Sequence, residues 1–317
     1  MSEQPINGGE PYIVCDNLVK IFKVADLEVV ALQGLDLTVR KGELMAIIGN
    51  SGSGKSTLLN ILGGLDRPSA GGCLVGGIDL VKAPESELVY YKRYKVGFVW
   101  QQSGRNLIPY LTAFENVQEP MLFANVSARN RKEYAMELLE AVGLQDRMHH
   151  HLGELSGGQQ QRVAIAISLA NQPELILADE PTGEVDNETA SHIYEILRTL
   201  SEQRDLTVVI VSHDRNIARR VDRVVAIRDG RTSTETVRRV GGEEDGDEHS
   251  HEEFVIVDPA GRLQIPREYL QQLGIEGRAV VDVEDGRVTV RSAADDNEEE
   301  APEDTPARRG LFGRGSG

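Results

Sequence analysis

Four short runs in this chain are apolar at nearly every position: Glu43 to Ile48, Val96 to Trp100, Leu175 to Ala178 and Thr207 to Val211. Runs without polar alternation suit strands covered on both faces, as parallel strands are when crossover helices lie between them. The intervening segments have a different period. Tyr134, Leu138, Leu139 and Val142 fall on one helical face, and Gly143 stands where a C-cap belongs. Residues 12–240 are therefore expected to form an α/β domain, with a helical subdomain at about 102–160.

Beyond Arg231 the pattern breaks. Gly241-Gly242-Glu243-Glu244-Asp245-Gly246-Asp247-Glu248 reads as part of an acidic, solvated linker over 241–253. Residues 254–292 are organised again: Phe254 to Val257, a turn at Asp258-Pro259-Ala260-Gly261, a short helix to Leu273 closed by Gly274, and a hairpin around Glu284-Asp285-Gly286-Arg287. About 40 β-rich residues seldom hold a fold alone, so this module is expected to dimerise or dock. Residues 1–11 read as a flexible N-terminus and 293–317 as a disordered tail.

Charge sharpens the division. Of the net −17, residues 241–317 hold 20 acidic against 8 basic side chains. The whole lacks the basic footprint of a nucleic-acid binder. Cys15 and Cys73, the two cysteines, read as reduced thiols of a cytosolic protein. No stretch approaches the roughly 20 apolar residues of a membrane span, and the start lacks a leader's basic and apolar regions. Membrane association is expected only through a partner.

The chemistry begins at Gly49-Asn50-Ser51-Gly52-Ser53-Gly54-Lys55-Ser56-Thr57, which lies between an apolar run and the helical Leu58 to Leu62. In a strand, loop, helix setting, the glycines turn backbone N–H groups toward phosphates. Lys55 adds a point charge, and the Ser56 hydroxyl is placed to ligate Mg²⁺. Leu175 to Ala178 leads into Asp179 and Glu180; alternation of strand faces assigns Asp179 to the metal and Glu180 to general base work on water. Ser156 is a good N-cap, and the N–H groups of Gly157 and Gly158, just before Gln159, offer a second anion site. His149-His150-His151 cannot all face one ion and reads as a solvated loop.

With Leu155-Ser156-Gly157-Gly158-Gln159-Gln160-Gln161-Arg162 added to the two nucleotide motifs, the chain resembles the ATP-binding subunits of ABC transporters over about Tyr12 to Arg231. The resemblance implies a P-loop NTPase fold, ATP and Mg²⁺ as cofactors, and a second copy of the chain. That copy closes the ATP held by one phosphate loop with its own signature residues Ser156 to Gln159. It also implies that Gln101 contacts the metal and water, that His213 contacts the γ-phosphate and Glu180, and that Phe22 stacks on adenine. The loop Pro181-Thr182-Gly183-Glu184-Val185-Asp186, with Asp186 as its family-matching residue, departs from the family's usual Asn and Leu at Glu184 and Val185.

Ala113-Phe114-Glu115-Asn116-Val117 and Leu62-Gly63-Gly64-Leu65-Asp66 are most similar to the lipoprotein-release, macrolide-export and cell-division branch. That likeness implies integral membrane permease subunits as partners, for export or mechanotransmission, and a cytoplasmic, peripheral location on the cell membrane. Residues 254–292 resemble the swapped-hairpin domain of AbrB-like regulators, in the string Gly261 to Pro266. Many of those bind DNA, but 5 Arg against 6 acidic side chains here make DNA an unexpected partner. Regulation of an envelope process without transport and ATP-responsive DNA binding are the alternative readings.

Overall fold

The expected apolar runs all become strands of one sheet, and that sheet divides the core in two. The computed structural model describes residues 9–24, 27–101, 107–238, 251–258, 260–284 and 286–292. The expected N-terminal flexibility before residue 9, the linker from 241 to 250 and the tail from 293 lie outside the described residues. Two units form, Met1–Leu263 and Gln264–Gly317.

In chain order the first unit contains β1 (Pro11–Val24), β2 (Leu27–Arg40), β3 (Leu44–Ile48), α1 (Lys55–Leu62), β4 (Ala70–Val75), β5 (Ile78–Asp79), α2 (Glu85–Tyr94) and β6 (Val96–Val99). It continues with α3 (Ala113–Phe123), α4 (Ala128–Ala141), α5 (Gly157–Ser168), β7 (Leu175–Asp179), α6 (Asn187–Arg204), β8 (Thr207–Ser212), β9 (Arg223–Arg228), β10 (Arg231–Arg238) and β11 (His251–Val255). The second unit has α7 (Arg267–Gln272), β12 (Ala279–Glu284) and β13 (Arg287–Ser292).

The seven-stranded sheet runs β11-β10-β9-β3-β8-β7-β6, and a four-stranded sheet runs β2-β1-β4-β5. From β6 to β9 all neighbours are parallel. Period two sorts their side chains between two cores. Leu44, Ala46, Ile176, Ala178, Val208 and Ile210 join the side packed with α3, α4, α5 and α6. Met45, Ile47, Leu175, Leu177, Val209 and Val211 join the side packed with α1, α2 and the four-stranded sheet. Each buried Leu, Ile, Val or Met among them contributes about 1.5–3 kcal/mol, so apolar side chains on both faces are what make these strands central.

The helical segment begins and ends as its residues dictate. Thr112 and Glu115 form a capping box at α3, and Ser127 caps α4. Gly143, at φ 66°, follows α4 and donates its N–H to the Glu140 carbonyl. Tyr134 is half-buried, whereas Leu138, Leu139 and Val142 are buried. The half-buried Arg223 guanidinium ties the two sheets, bonding Glu43 at 2.6 Å, Glu235 at 2.9 Å and the Thr38 carbonyl.

The boundary expected at 253/254 is corrected. His251 to Val255 is not linker and module but an antiparallel edge strand on β10, in register from Thr234↔Val255 to Arg238↔His251. Ile256 donates to the Ser233 carbonyl at 2.9 Å, and Asp258 lies 3.6 Å from Arg231. The reason is that β10 would otherwise present a row of unpaired N–H and C=O groups. Glu252 and Glu253 misled by composition, because carboxylates are tolerated on a solvent-facing edge. The turn Asp258 to Gly261 therefore belongs to the first unit. In the second unit α7 ends before Gly274 at φ 61°, and β12 and β13 pair from Ala279↔Ser292 to Glu284↔Arg287.

Ending the chain at Arg238 removes the β11 ladder, worth about 2 kcal/mol, and is expected to lower the first unit's Tm by about 4–8 °C. Ending it at Leu263 leaves that transition in place. Equal melting of the two truncations by circular dichroism would contradict the assignment of β11 to this sheet.

Candidate nucleotide site

β3 ends at Ile48, and α1 begins at Lys55, so the phosphate loop is strung between a central strand and a helix N-terminus. Gly54 is the N-cap of α1 at φ 104°, and no side chain caps the helix. The first N–H groups of α1 are thus left for an anion. A Cβ on Gly54 would lie 2.6 Å from the Ala31 carbonyl and 3.6 Å from Gly230, so β2 and the β9–β10 turn wedge the loop from behind. A Cβ on Gly49 would meet the Ile227 carbonyl at 2.3 Å. Lys55 Nζ donates back to the Gly49 and Asn50 carbonyls at 2.8 and 2.9 Å. Ser53 is buried, and among the described residues its Oγ has no hydrogen-bond partner. Asn50, Ser51, Gly52 and Ser56 are exposed, and Thr57 is half-buried. The uncapped helix and the orphaned hydroxyl form a cradle that fits a polyphosphate.

Opposite the loop, three more strand ends converge. β7 stops at Asp179, and Glu180 turns away at φ 46°, its N–H bonded to the Val211 carbonyl on β8. Glu180 thus lies past the strand end in a left-handed conformation, where strand alternation no longer sets its direction. Gln101, just past β6, donates to Glu180 Oε2 at 2.9 Å. His213, just past β8, places Nε2 2.7 Å from Glu180 Oε1 and Nδ1 3.1 Å from the Gly49 carbonyl. Both oxygens of Glu180 are held. His213 faces two acceptors, so a ring with one N–H satisfies one of them and a doubly protonated ring satisfies both.

Burial raises the Asp179 carboxyl above its ordinary range and the Glu180 charge adds to this; a Ser56 hydrogen bond, Lys55 and His213 act the other way. Burial lowers Lys55, opposed by Glu180 and Asp179. Ser56, Asp179 and Gln101 supply oxygen donors only, the set that suits Mg²⁺ rather than a softer ion. A divalent cation there would relieve the crowding of Asp179 against Glu180.

The remaining expected residues lie elsewhere. Ser156 caps α5 in a box with Gln159, accepting its N–H at 3.3 Å while Gln159 Oε1 accepts from Ser156 at 2.9 Å. Gly157 is open, and a Cβ on Gly158 would strike Thr189 of α6 at 2.3 Å. Among the described residues, Ser156 to Gln159 make no hydrogen bond to the phosphate loop. Asp186 caps α6, accepting from Glu188 and Thr189, whose hydrogen bonds lower its pKa. Glu184 is exposed, and Val185 packs against the core. Phe22 is partly exposed on β1 opposite Val29. His149 meets Phe114 edge-on, and His150 and His151 pair through the backbone with the start of α3, while His149 and His151 stay exposed and His150 half-buried, as a solvated loop requires.

Motif reading missed Ala31 and Gly230. The turn pair Asp229-Gly230 signals a hairpin, but only the fold shows that its glycine abuts the phosphate loop.

The ABC transporter family pattern matches residues 32–183. An uncharacterised ABC transporter ATP-binding protein of Thermotoga maritima is 50% identical over 67% of this chain and 89% of its own length. The lipoprotein-releasing system ATP-binding protein LolD of Legionella pneumophila is 43% identical over 69% of this chain and 95% of its own. The macrolide export ATP-binding/permease protein MacB of Brucella melitensis is 45% identical, but the chain spans 35% of its length. The solved ATP-binding cassette MJ0796, a dimer in a post-hydrolysis state bound to ADP and Pi, superposes with TM-score 0.65 at 42% identity, over 70% of this chain and 97% of that one. At 50% identity over 89% of the Thermotoga maritima relative, this chain belongs to the ATP-binding subunits of ABC transporters.

Proposed function

We propose that two copies of this chain hydrolyse ATP at composite sites and thereby drive integral membrane permease subunits from the cytoplasmic face. The observation that carries the reading is Glu180, gripped on both oxygens by Gln101 and His213 beside the phosphate loop. A carboxylate so oriented takes the proton of a water whose oxygen attacks the γ-phosphate in line. Gly49 to Thr57 hold the phosphates, and Phe22 stacks on adenine. Ser56, Asp179 and Gln101 hold Mg²⁺, which supplies neutralisation of phosphate charge when bound. Ser156, Gly157, Gly158 and Gln159 close the ATP of the other copy. Asp186 keeps the loop carrying Glu184 in register at that interface.

For the membrane partner the support is an exposed apolar surface. Val89 and Tyr90 on α2 and Leu122 and Phe123 on α3 are exposed. Asn171 joins the two helices by donating to the Arg93 and Pro120 carbonyls at 3.0 and 3.3 Å. In the MacB relative, cassette and permease are named as one protein. A permease segment is the occupant this surface suits.

The second unit supports a further contact between copies, in keeping with its AbrB-like string. Val281, Val283, Val288 and Val290 share one face of the β12–β13 ribbon by register, and the first three are exposed. The other face carries Asp282 and Arg291, paired at 3.4 Å. A two-stranded ribbon with a bare apolar face is marginal alone. Linking the copies there raises the effective concentration of the ATPase units.

Glu180→Gln is expected to lower turnover about 100-fold or more while ATP binding persists; undiminished phosphate release would contradict the base assignment. Tyr90→Ser with Phe123→Ser is expected to abolish capture of an integral membrane protein from solubilised membranes while isolated ATPase activity stays unchanged. Capture by the double variant equal to that by the unsubstituted chain would remove this surface from the reading. Deleting residues 264–317 is expected to make ATPase activity fall more steeply on dilution, and an unchanged concentration dependence would count against the second contact.

A further inference from the structure

Lysine is seldom buried unless its ammonium is paired. Lys20 on β1 is 9% exposed, with Nζ 2.6 Å from Asp66 Oδ1 and 2.8 Å from the Arg67 carbonyl. Asp66 is itself fixed, since the same Oδ1 accepts the Arg67 N–H at 2.8 Å. The ammonium stands 4.8 Å from the centroid of the Phe22 ring. Two of its three N–H groups are thus committed to oxygens, and the charge is presented to one face of the aromatic.

Phe22 lies opposite Val29, and both are exposed. Ala31, two residues along β2, has its carbonyl against Gly54 of the phosphate loop. One cross-strand step and two residues of strand put the ring within about 12 Å of the loop, a distance that a nucleoside triphosphate spans.

We propose that Lys20 is a positioning residue for the nucleobase: it covers one face of Phe22 and fixes the ring, leaving the opposite face as the adenine platform. The proposal rests on the reading that Phe22 takes the base. A cation behind the ring draws electron density from it, which strengthens stacking with an electron-rich purine on the free side. Asp66 and the Arg67 carbonyl keep the ammonium from turning to the phosphates, so its contribution belongs to the base alone.

The test is equilibrium binding of Mg-ATP and of inorganic tripolyphosphate to the full chain, in a double-mutant cycle. Lys20→Met with Asp66→Asn removes both charges without orphaning a carboxylate, and is expected to weaken ATP about three- to fivefold while tripolyphosphate binding stays unchanged. Phe22→Ala is expected to weaken ATP selectively, and the triple variant to bind ATP no more weakly than Phe22→Ala. Lys20→Gln alone, read in the same way, stands in should the paired change fail to fold. If Phe22→Ala leaves ATP binding intact, the stacking reading fails. If Phe22→Ala weakens ATP but the Lys20 variants do not, or add to its effect, or weaken tripolyphosphate equally, the Lys20 proposal alone is overturned.

Discussion

Parallel pairing of β6, β7, β8 and β3 is the constraint on which the site depends. Parallel strands in register must end together, and the loops after them must therefore share one edge of the sheet. Gln101, Glu180, His213 and the phosphate loop are each within a few residues of such an end. Nothing local to Gln101 or His213 makes them partners of Glu180. The packing of two cores against the two faces of the sheet does so, by leaving each strand a single register in which its apolar side chains are all buried.

Steric limits sharpen that arrangement. The loop is wedged by Ala31 and Gly230, where no side chain larger than hydrogen fits at Gly54. Glu180 is held in a left-handed conformation that non-glycine residues adopt at a cost, and such conformations persist where surrounding bonds over-determine them. Here the backbone bond to Val211 and the side-chain contacts to Gln101 and His213 do so. The start of α5, by contrast, is capped: Ser156 and Gln159 bond each other in a box, and among the described residues Ser156 to Gln159 make no hydrogen bond to the phosphate loop. In the proposed function these two helix starts serve one nucleotide site from different copies of the chain.

Much of this was legible in the residues. The strands were legible because runs apolar at every position have few other uses, and the phosphate loop because its glycines and Lys55 are needed at fixed spacing. The left-handed turn at Glu180 was not legible, since a break after Asp179 leaves no compositional trace. β11 was missed because Glu252 and Glu253 look like linker when judged by charge. Edge pairing is satisfied by backbone groups, which are the same whatever the side chains. Lys20 was invisible for another reason: a lysine in a strand reads as solvated, and only the fold brings Asp66 and the Arg67 carbonyl to its ammonium.

The claim that each site needs a second copy is tested most directly by mixing two disabled chains, Lys55→Ala and Ser156→Arg. Each alone should fail to hydrolyse ATP, the first for want of a phosphate loop and the second for want of the partner's helix start. Mixed, they can build one intact site from the loop of one and the helix of the other, and hydrolysis should return. Hydrolysis by Ser156→Arg alone at the rate of the unsubstituted chain would contradict the account, because the site would then be complete within one chain.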